Sequence, residues 1–345
     1  MIPITSPKAI AGICAAAAAG MFSILDANPT LFVYDALFAP LGYKSLKGKR
    51  VWVTGASSGI GAALSKKMYK HGAKVIISAR NEKMLEHVAD SARSCTGTSA
   101  DGAMAVLPLD VTASSDVIDD VVAKALHIYG GVDVLVLNAG RTQRSVALST
   151  SEKSTRELME LNFMSPTRLS MALIRQDQWE KQKRGHIVVT SSVAGKYAVA
   201  LSSSYAASKH AVQGYFSSLR SENPWLRVDL VCPGPIGTPI DKAAVTSKQS
   251  LSTDDESESK MPVNRCVRLM MSSIVGPKGL FYETWIAQNP VLVFSYLNQY
   301  APSLFTALIN KVGSIRVKAF NQGKNMYKLS SLIEAARSDD NDHIK

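Results

Sequence analysis

The chain has 345 residues, 46% of them hydrophobic, so it can bury a large core as one big α/β domain with extensions or as two ordinary domains. Its 39 Lys and Arg against 28 Asp and Glu give a net charge of +11, which suits an anionic membrane surface or a phosphate-bearing ligand. No basic block with interleaved aromatics stands out, which sets nucleic acid aside, and the scattered Cys14, Cys95, Cys232 and Cys266 fit neither a metal site nor a disulfide framework.

Residues 9–25, "AIAGICAAAAAGMFSIL", carry no charge, and their seventeen positions are the short end of a bilayer-spanning helix. Seven are alanine, which makes insertion only marginally favourable. Lys8 and the small residues also fit a secretory signal with a cleavage site, and a soluble packed arm is the third reading. A retained anchor is preferred, because the following "PTLFVYDALFAPLGY" offers aromatics for a membrane interface. The expected division is an anchor or signal with its linker over 1–47, a catalytic domain over 48–315 and a polar tail over 316–345.

From Lys49 onward, short runs of Val, Ile and Leu alternate with amphipathic stretches. "RVWVT" (50–54) precedes a helix from about Ile60, "KVIIS" (74–78) one from about Glu82, and "MAVLPL" (104–109) one from about Ser114. "VDVLVL" (132–137), "HIVVT" (186–190) and "RVDLV" (227–231) continue the series, and "ETWIA" (283–287) is a candidate last strand. Strands without polar alternation are covered on both faces, which predicts a doubly wound parallel sheet of the Rossmann type. The polar run 243–260 reads as a mobile insertion or lid rather than sheet, its acidic "DDESE" as a solvated loop, and 240–280 as the variable substrate loop.

The first strand runs directly into "TGASSGIG", Thr54 to Gly61. Gly55 allows a tight turn, Gly59 lets backbone approach a pyrophosphate, and Gly61 allows close helix packing. Ser57, Ser58 and Ile60 complete the turn, and the helix start offers free N–H groups to the anion. At the end of the second strand, Ala79 stands where an acid would hold a ribose hydroxyl, and Arg80 follows. An arginine there suits a 2′-phosphate, so NADP(H) is the expected cofactor.

In "SSSYAASKHAV" (202–212), Tyr205 and Lys209 share one face of a helix that the serines are expected to cap. A phenol titrates near 10 and works poorly as a proton donor or acceptor at neutral pH. An ammonium beside it, and a cationic nicotinamide, favour its ionised form. Ala206, Ala207 and Ser208 are expected to leave room for a flat ring and a ribose. His71, His127, His186 and His210 show no ligand or nucleophile pattern.

In order along the chain, "TGASSGIG", "LNAG", "TSSVAG", "YAASK" and "CPGPIGT" resemble the short-chain dehydrogenase/reductase family over about residues 48–240. The resemblance implies Tyr205 as acid–base, Lys209 on the nicotinamide ribose, Ser192 on the substrate carbonyl and Asn162 holding a water in a relay to the lysine. It further implies adenine contacts at Asp110 and Val111, a ribose-side turn at Asn138, Ala139 and Gly140, and carboxamide contacts at Ile236 and Thr238. Ser191 should point to the other face of its strand. Leu137 departs from the usual asparagine, and "RSENPWLRV" is a little short between helix and strand. "VLPLD", "TQRS", "NRCVRLM" and "VFSYLNQYAP" resemble a membrane-anchored, NADP-linked branch of the endoplasmic reticulum that acts on retinoid and steroid carbonyls. That branch implies a lipophilic carbonyl or alcohol substrate. By family analogy the chain is expected to form a homodimer through the helices carrying Asn162 and Tyr205.

Overall fold

The computed structural model describes residues 20, 24–96, 102–241, 244–246, 260–324 and 329–337. Its strands are β1 (Arg50–Thr54), β2 (Lys74–Ser78), β3 (Ala103–Val106), β4 (Val134–Leu137), β5 (Gln143–Arg144), β6 (Gly185–Thr190), β7 (Leu226–Pro233), β8 (Val245–Thr246) and β9 (Glu283–Ile286). Seven of them form a sheet in the order β3-β2-β1-β4-β6-β7-β9, with every pair parallel. The strand order reverses between β1 and β4, and a crevice opens there beyond their carboxyl ends.

The described helices of eight residues or more are α1 (Pro29–Leu37), α2 (Gly59–Lys70), α3 (Glu82–Thr96), α4 (Ser115–Ile128), α5 (Glu152–Met159), α6 (Ser165–Ile174), α7 (Ser203–Glu222), α8 (Val263–Val275), α9 (Val291–Tyr300), α10 (Pro302–Asn321) and α11 (Leu329–Arg337). Alternate strand residues feed two cores. Val51, Val53, Val75 and Ile77 pack with Leu64, Met68 and Met270 on one face. Trp52, Ile76, Leu135 and Ile187 pack with Ile118, Leu173 and Phe216 on the other. Both faces are covered, which is why these strands show no polar alternation.

Several elements differ from the sequence reading. β3 stops at Val106, although Leu107 and Leu109 still donate backbone bonds to Ile77 and Ala79. Pro108 between them has no N–H to give. Residues 245–246 are a strand, paired in parallel with Gln143–Arg144, so that part of the polar run is not free of sheet. Residues 247–259, the acidic 254–258 among them, lie outside the described residues. The apolar stretch 290–309 is two helices broken at Pro302, α10 crosses residue 315, and α11 lies within the polar tail.

The proposed anchor run falls largely outside the described residues. Among the described residues no helix is long and apolar enough to cross a membrane. α1 packs on α8 through Asp35, which accepts from Arg265, Arg268 and Ser272. Cys232 and Cys266 are buried free thiols, and among the described residues no His, Cys, Asp or Glu group is arranged to hold a metal.

Candidate active site

The turn after β1 is built on backbone that side chains would obstruct. Gly55 and Gly59 have φ of +65° and +55°. A Cβ on Gly55 would fall 2.7 Å from the Ala139 Cα, and one on Gly61 would overlap the Gly55 carbonyl. Asn138 pins this packing by donating its side-chain amide to the carbonyls of Thr54 and Gly55, at 3.3 and 3.2 Å. α2 begins at Gly59, and its N-cap Ser58 makes no side-chain cap. Its leading edge therefore meets the crevice as backbone, the arrangement that favours an anion.

Gly55, Ser57, Ser58, Gly59 and Ile60 line one cavity of about 460 Å³, together with Ala79, Arg80, Asp110 and Val111. Arg80 is exposed at its rim. Asp110 is shaped by its own turn, accepting from the N–H and hydroxyl of Thr112 at 3.0 and 2.8 Å. Asn138, Ala139 and Gly140 line the same cavity, as do Ile236 and Thr238. Gly61 lies behind the turn, where its missing side chain permits the contact with Gly55.

Tyr205 and Lys209 open on this cavity from α7. The Lys209 ammonium lies 5.9 Å from the centre of the Tyr205 ring and donates to the Thr190 carbonyl at 2.8 Å. Burial pushes the Lys209 amine down to about 8. Ser192 reaches the cavity beyond β6. Its hydroxyl donates to the Pro233 carbonyl at 3.3 Å and accepts from the Ala194 N–H at 3.1 Å. Ser191 also borders the cavity, but its hydroxyl accepts from Gln213 on α7.

Asn162 lies in a π-turn, Glu160–Met164, between α5 and α6. The wider turn aims its amide inward. Oδ1 accepts from the Arg141 N–H, and Nδ2 donates to the Arg141 carbonyl and to Ser208, each at 3.0 Å. A Cβ on Gly140 would sit 3.0 Å from Asn162 Oδ1 and 3.8 Å from Lys209 Nζ, so amide and ammonium converge there. π-turns within helices are frequent at functional sites, but a single one leaves no compositional mark in the sequence.

Two sequence expectations about α7 are corrected. Ala206, Ala207 and Ser208 do not make room in the cavity. Ala206 and Ser208 are buried, Ala207 is exposed, and Ser208 bonds Asn162 and the Tyr205 carbonyl. The helix is not capped by its own serines either, since the N-cap Ser202 turns its hydroxyl to Val199. Gln143 takes that role from β5, accepting the N–H groups of Ser204 and Tyr205 at 2.8 and 3.1 Å. The sequence reading also missed Tyr197, Val199, Leu201, Val291 and Arg316, which line the same cavity, as do Arg141, Arg144 and Lys260. The apolar character of the C-terminal segment was the one signal pointing to Val291.

A family model described as short chain dehydrogenase matches residues 49–249. The chain belongs to the short-chain dehydrogenase family. It is 38% identical over 278 residues to "Dehydrogenase/reductase SDR family member 7" of Mus musculus, covering 78% of this chain and 79% of the relative. Actinorhodin polyketide ketoreductase with NADPH aligns at a TM-score of 0.59 with 26% identity, over 68% of this chain and 94% of that one. A short-chain dehydrogenase/reductase of Burkholderia phymatum in complex with NAD aligns at 0.62 with 22% identity, over 75% and 95%. This short-chain dehydrogenase is thus an oxidoreductase with an NAD(P)-binding fold.

Proposed function

We propose that this short-chain dehydrogenase interconverts a carbonyl and an alcohol on an apolar lipid of the steroid or retinoid class, with NADP(H) as its nucleotide. One relation carries the reading: Tyr205, Lys209 and Ser192 open on the same cavity as the glycine turn. The bare backbone at Gly55 and Gly59, with Gly61 packed behind it, fits a pyrophosphate, and the exposed Arg80, with no acid at Ala79, fits a 2′-phosphate. Asp110 and Val111 would flank the adenine, Asn138 to Gly140 the ribose, and Ile236 and Thr238 the carboxamide. Bound there, the reduced nucleotide would supply the hydride.

The chain's own residues would do the rest. Ser192 donates a hydrogen bond to the substrate carbonyl oxygen, and Tyr205 delivers the proton that makes the alcohol. The Lys209 charge keeps the resulting phenolate low in energy, and Asn162 holds the Arg141 backbone beside it, where a relay could restore the proton. Tyr197, Val199, Leu201 and Val291 give the substrate end an apolar wall, which supports a lipid. The NADPH-bound ketoreductase neighbour supports a second reading, reduction of a 3-keto long-chain lipid. A nucleotide-bound scaffold without turnover is the rival of another class.

Attachment to a membrane, with the endoplasmic reticulum as the expected site, belongs to the same proposal. It is supported by the uncharged run 9–25 and by Val33, Leu37, Phe38 and Leu41, which are 51–67% exposed just beyond it.

The test is a substrate screen on the membrane-reconstituted protein, using steroid ketones, retinal and 3-keto lipids with NADPH and NADH in parallel. The expected result is NADPH-dependent reduction that Tyr205→Phe abolishes. Turnover that survives Tyr205→Phe would overturn the assignment of the acid–base residue, and a preference for NADH would overturn the cofactor assignment. Wild-type inactivity on every substrate, with the phenotype intact in Tyr205→Phe, would favour the scaffold.

A further inference from the structure

The helix that carries Tyr205 begins almost at that residue, which is third in α7. The N–H groups of a first turn need acceptors from outside the helix. A neighbouring Ser, Thr, Asp or Asn commonly provides one, yet Ser202 donates to Val199 at 2.8 Å instead. The acceptor is Gln143 Oε1, which takes the N–H of Ser204 and of Tyr205 itself.

Gln143 is built in on every side. It is 2% exposed, and its Nε2 donates at 2.8 Å to Thr150, which in turn donates at 3.0 Å to the Val146 carbonyl. Its backbone lies in β5, paired with the Val245–Thr246 strand. A carboxylate here would be buried and would lose the bond to Thr150, although it would bond the same N–H groups and suit the positive end of the helix.

The surroundings of Tyr205 point the other way. Lys209, Arg141, Arg144, Lys260 and Arg316 line its cavity, together with the phenol of Tyr197. Among the described lining residues the only acid is Asp110, beside Val111 and Arg80. On the elements packed against this end of α7, Glu152 pairs with Arg156, Glu160 with Arg168 and Lys196 with Glu283. Lys153 and Glu157 are exposed on α5.

We propose that Gln143 is a positioning residue for Tyr205, holding the first turn of its helix with a cap that has to be uncharged for the phenol to exchange its proton near neutral pH. This rests on the reading of Tyr205 as the acid–base residue. An amide fixes the backbone of Tyr205 and leaves the positive end of the helix unneutralised, whereas a carboxylate would bond the same N–H groups, lose its hold on Thr150 and oppose the phenolate.

The test uses the full chain saturated with NADP+. Tyrosinate absorbance is titrated against pH, and the same titration of Tyr205→Phe is subtracted to leave the component due to Tyr205. Gln143→Glu is expected to raise the Tyr205 midpoint by about one to two pH units, as for a charge several ångströms away at an effective dielectric of about 20. It is also expected to melt lower than the wild type, because the carboxylate is buried and loses the bond to Thr150. Gln143→Leu, which removes the acceptor without adding charge, is expected to melt lower and to lose turnover with the nucleotide KM little changed. An unmoved midpoint in Gln143→Glu would overturn the proposal, as would a midpoint raised equally by Gln143→Leu, which adds no charge. A wild-type titration with no Tyr205 component would instead remove the acid–base reading on which it rests.

Discussion

The ammonium of Lys209 and the phenol ring of Tyr205 lie on one side of α7, 5.9 Å apart, with the ammonium tied to the Thr190 carbonyl. Holding a charge there is costly. Lys209 is 6% exposed, and burial lowers its amine from 10.5 to about 8. The folded value lies below the unfolded one, so between them the unfolded chain binds more protons and stability rises with pH. Below that window the cost is present in full, and the gap corresponds to about 3 kcal/mol.

Lys209→Met should therefore stabilise the cofactor-free protein at neutral pH while abolishing turnover. Losing the bond to Thr190 takes back about 1 kcal/mol, leaving a net gain of about 2 kcal/mol. Scanning calorimetry at neutral pH should show the variant melting higher, with the advantage shrinking as the pH passes from about 8 towards 10.5. A variant that melts lower at neutral pH would show that the bond to Thr190 outweighs the burial of the charge.

Arg80 presents the opposite case, a cation at the exposed rim of the cavity. Water screens it, so its contribution has to come from direct contact with an anion rather than from long-range field. Arg80→Glu should raise the KM for NADPH at least about tenfold, the equivalent of about 1.4 kcal/mol. The KM for NADH should stay level or fall, because the new acid suits a ribose hydroxyl. Steady-state kinetics with both nucleotides would check this, and equal losses for the two would remove Arg80 from the discrimination.

Local patterns carried the fold and half of the site. Val51, Val53 and Trp52 announce a strand buried on both faces because their neighbours in sequence are their neighbours in the strand. Tyr205 and Lys209 are legible for the same reason, since four residues make one helical turn. Gln143 could not be read as the cap of α7, because its partners Ser204 and Tyr205 come from a distant part of the chain. Asn162 is singled out by its resemblance to a family motif alone. Its π-turn depends on a change of backbone bonding that no residue type marks. Val291 and Arg316 reach the cavity only because α9 and α10 fold back over it.

Asp35 is a buried anchor of the N-terminal segment, beside Asp26, the Asn28 bonds to Trp285 and the apolar Leu31. Asp35 is 2% exposed and accepts from Arg265 at 2.7 Å, Arg268 at 3.1 Å and Ser272 at 2.7 Å, while Arg265 also holds Asp26. Burial alone would raise its carboxyl, but the bonds from Ser272, Arg265 and Arg268 outweigh it and hold the carboxyl below 3.8. A lowered folded value means that the stabilisation is present above 3.8 and is lost as the pH falls through the folded value. Asp35→Asn removes the charge and leaves the guanidinium groups facing a neutral amide, which should cost about 3 kcal/mol at neutral pH. Ser272→Ala removes one bond and should cost about 1 kcal/mol. Urea unfolding at neutral pH should rank wild type above Ser272→Ala and that above Asp35→Asn. The gap between wild type and Asp35→Asn should close in acid, because the wild-type carboxyl is then neutral as well. A gap that persists once the carboxyl is protonated would trace the loss to shape rather than charge.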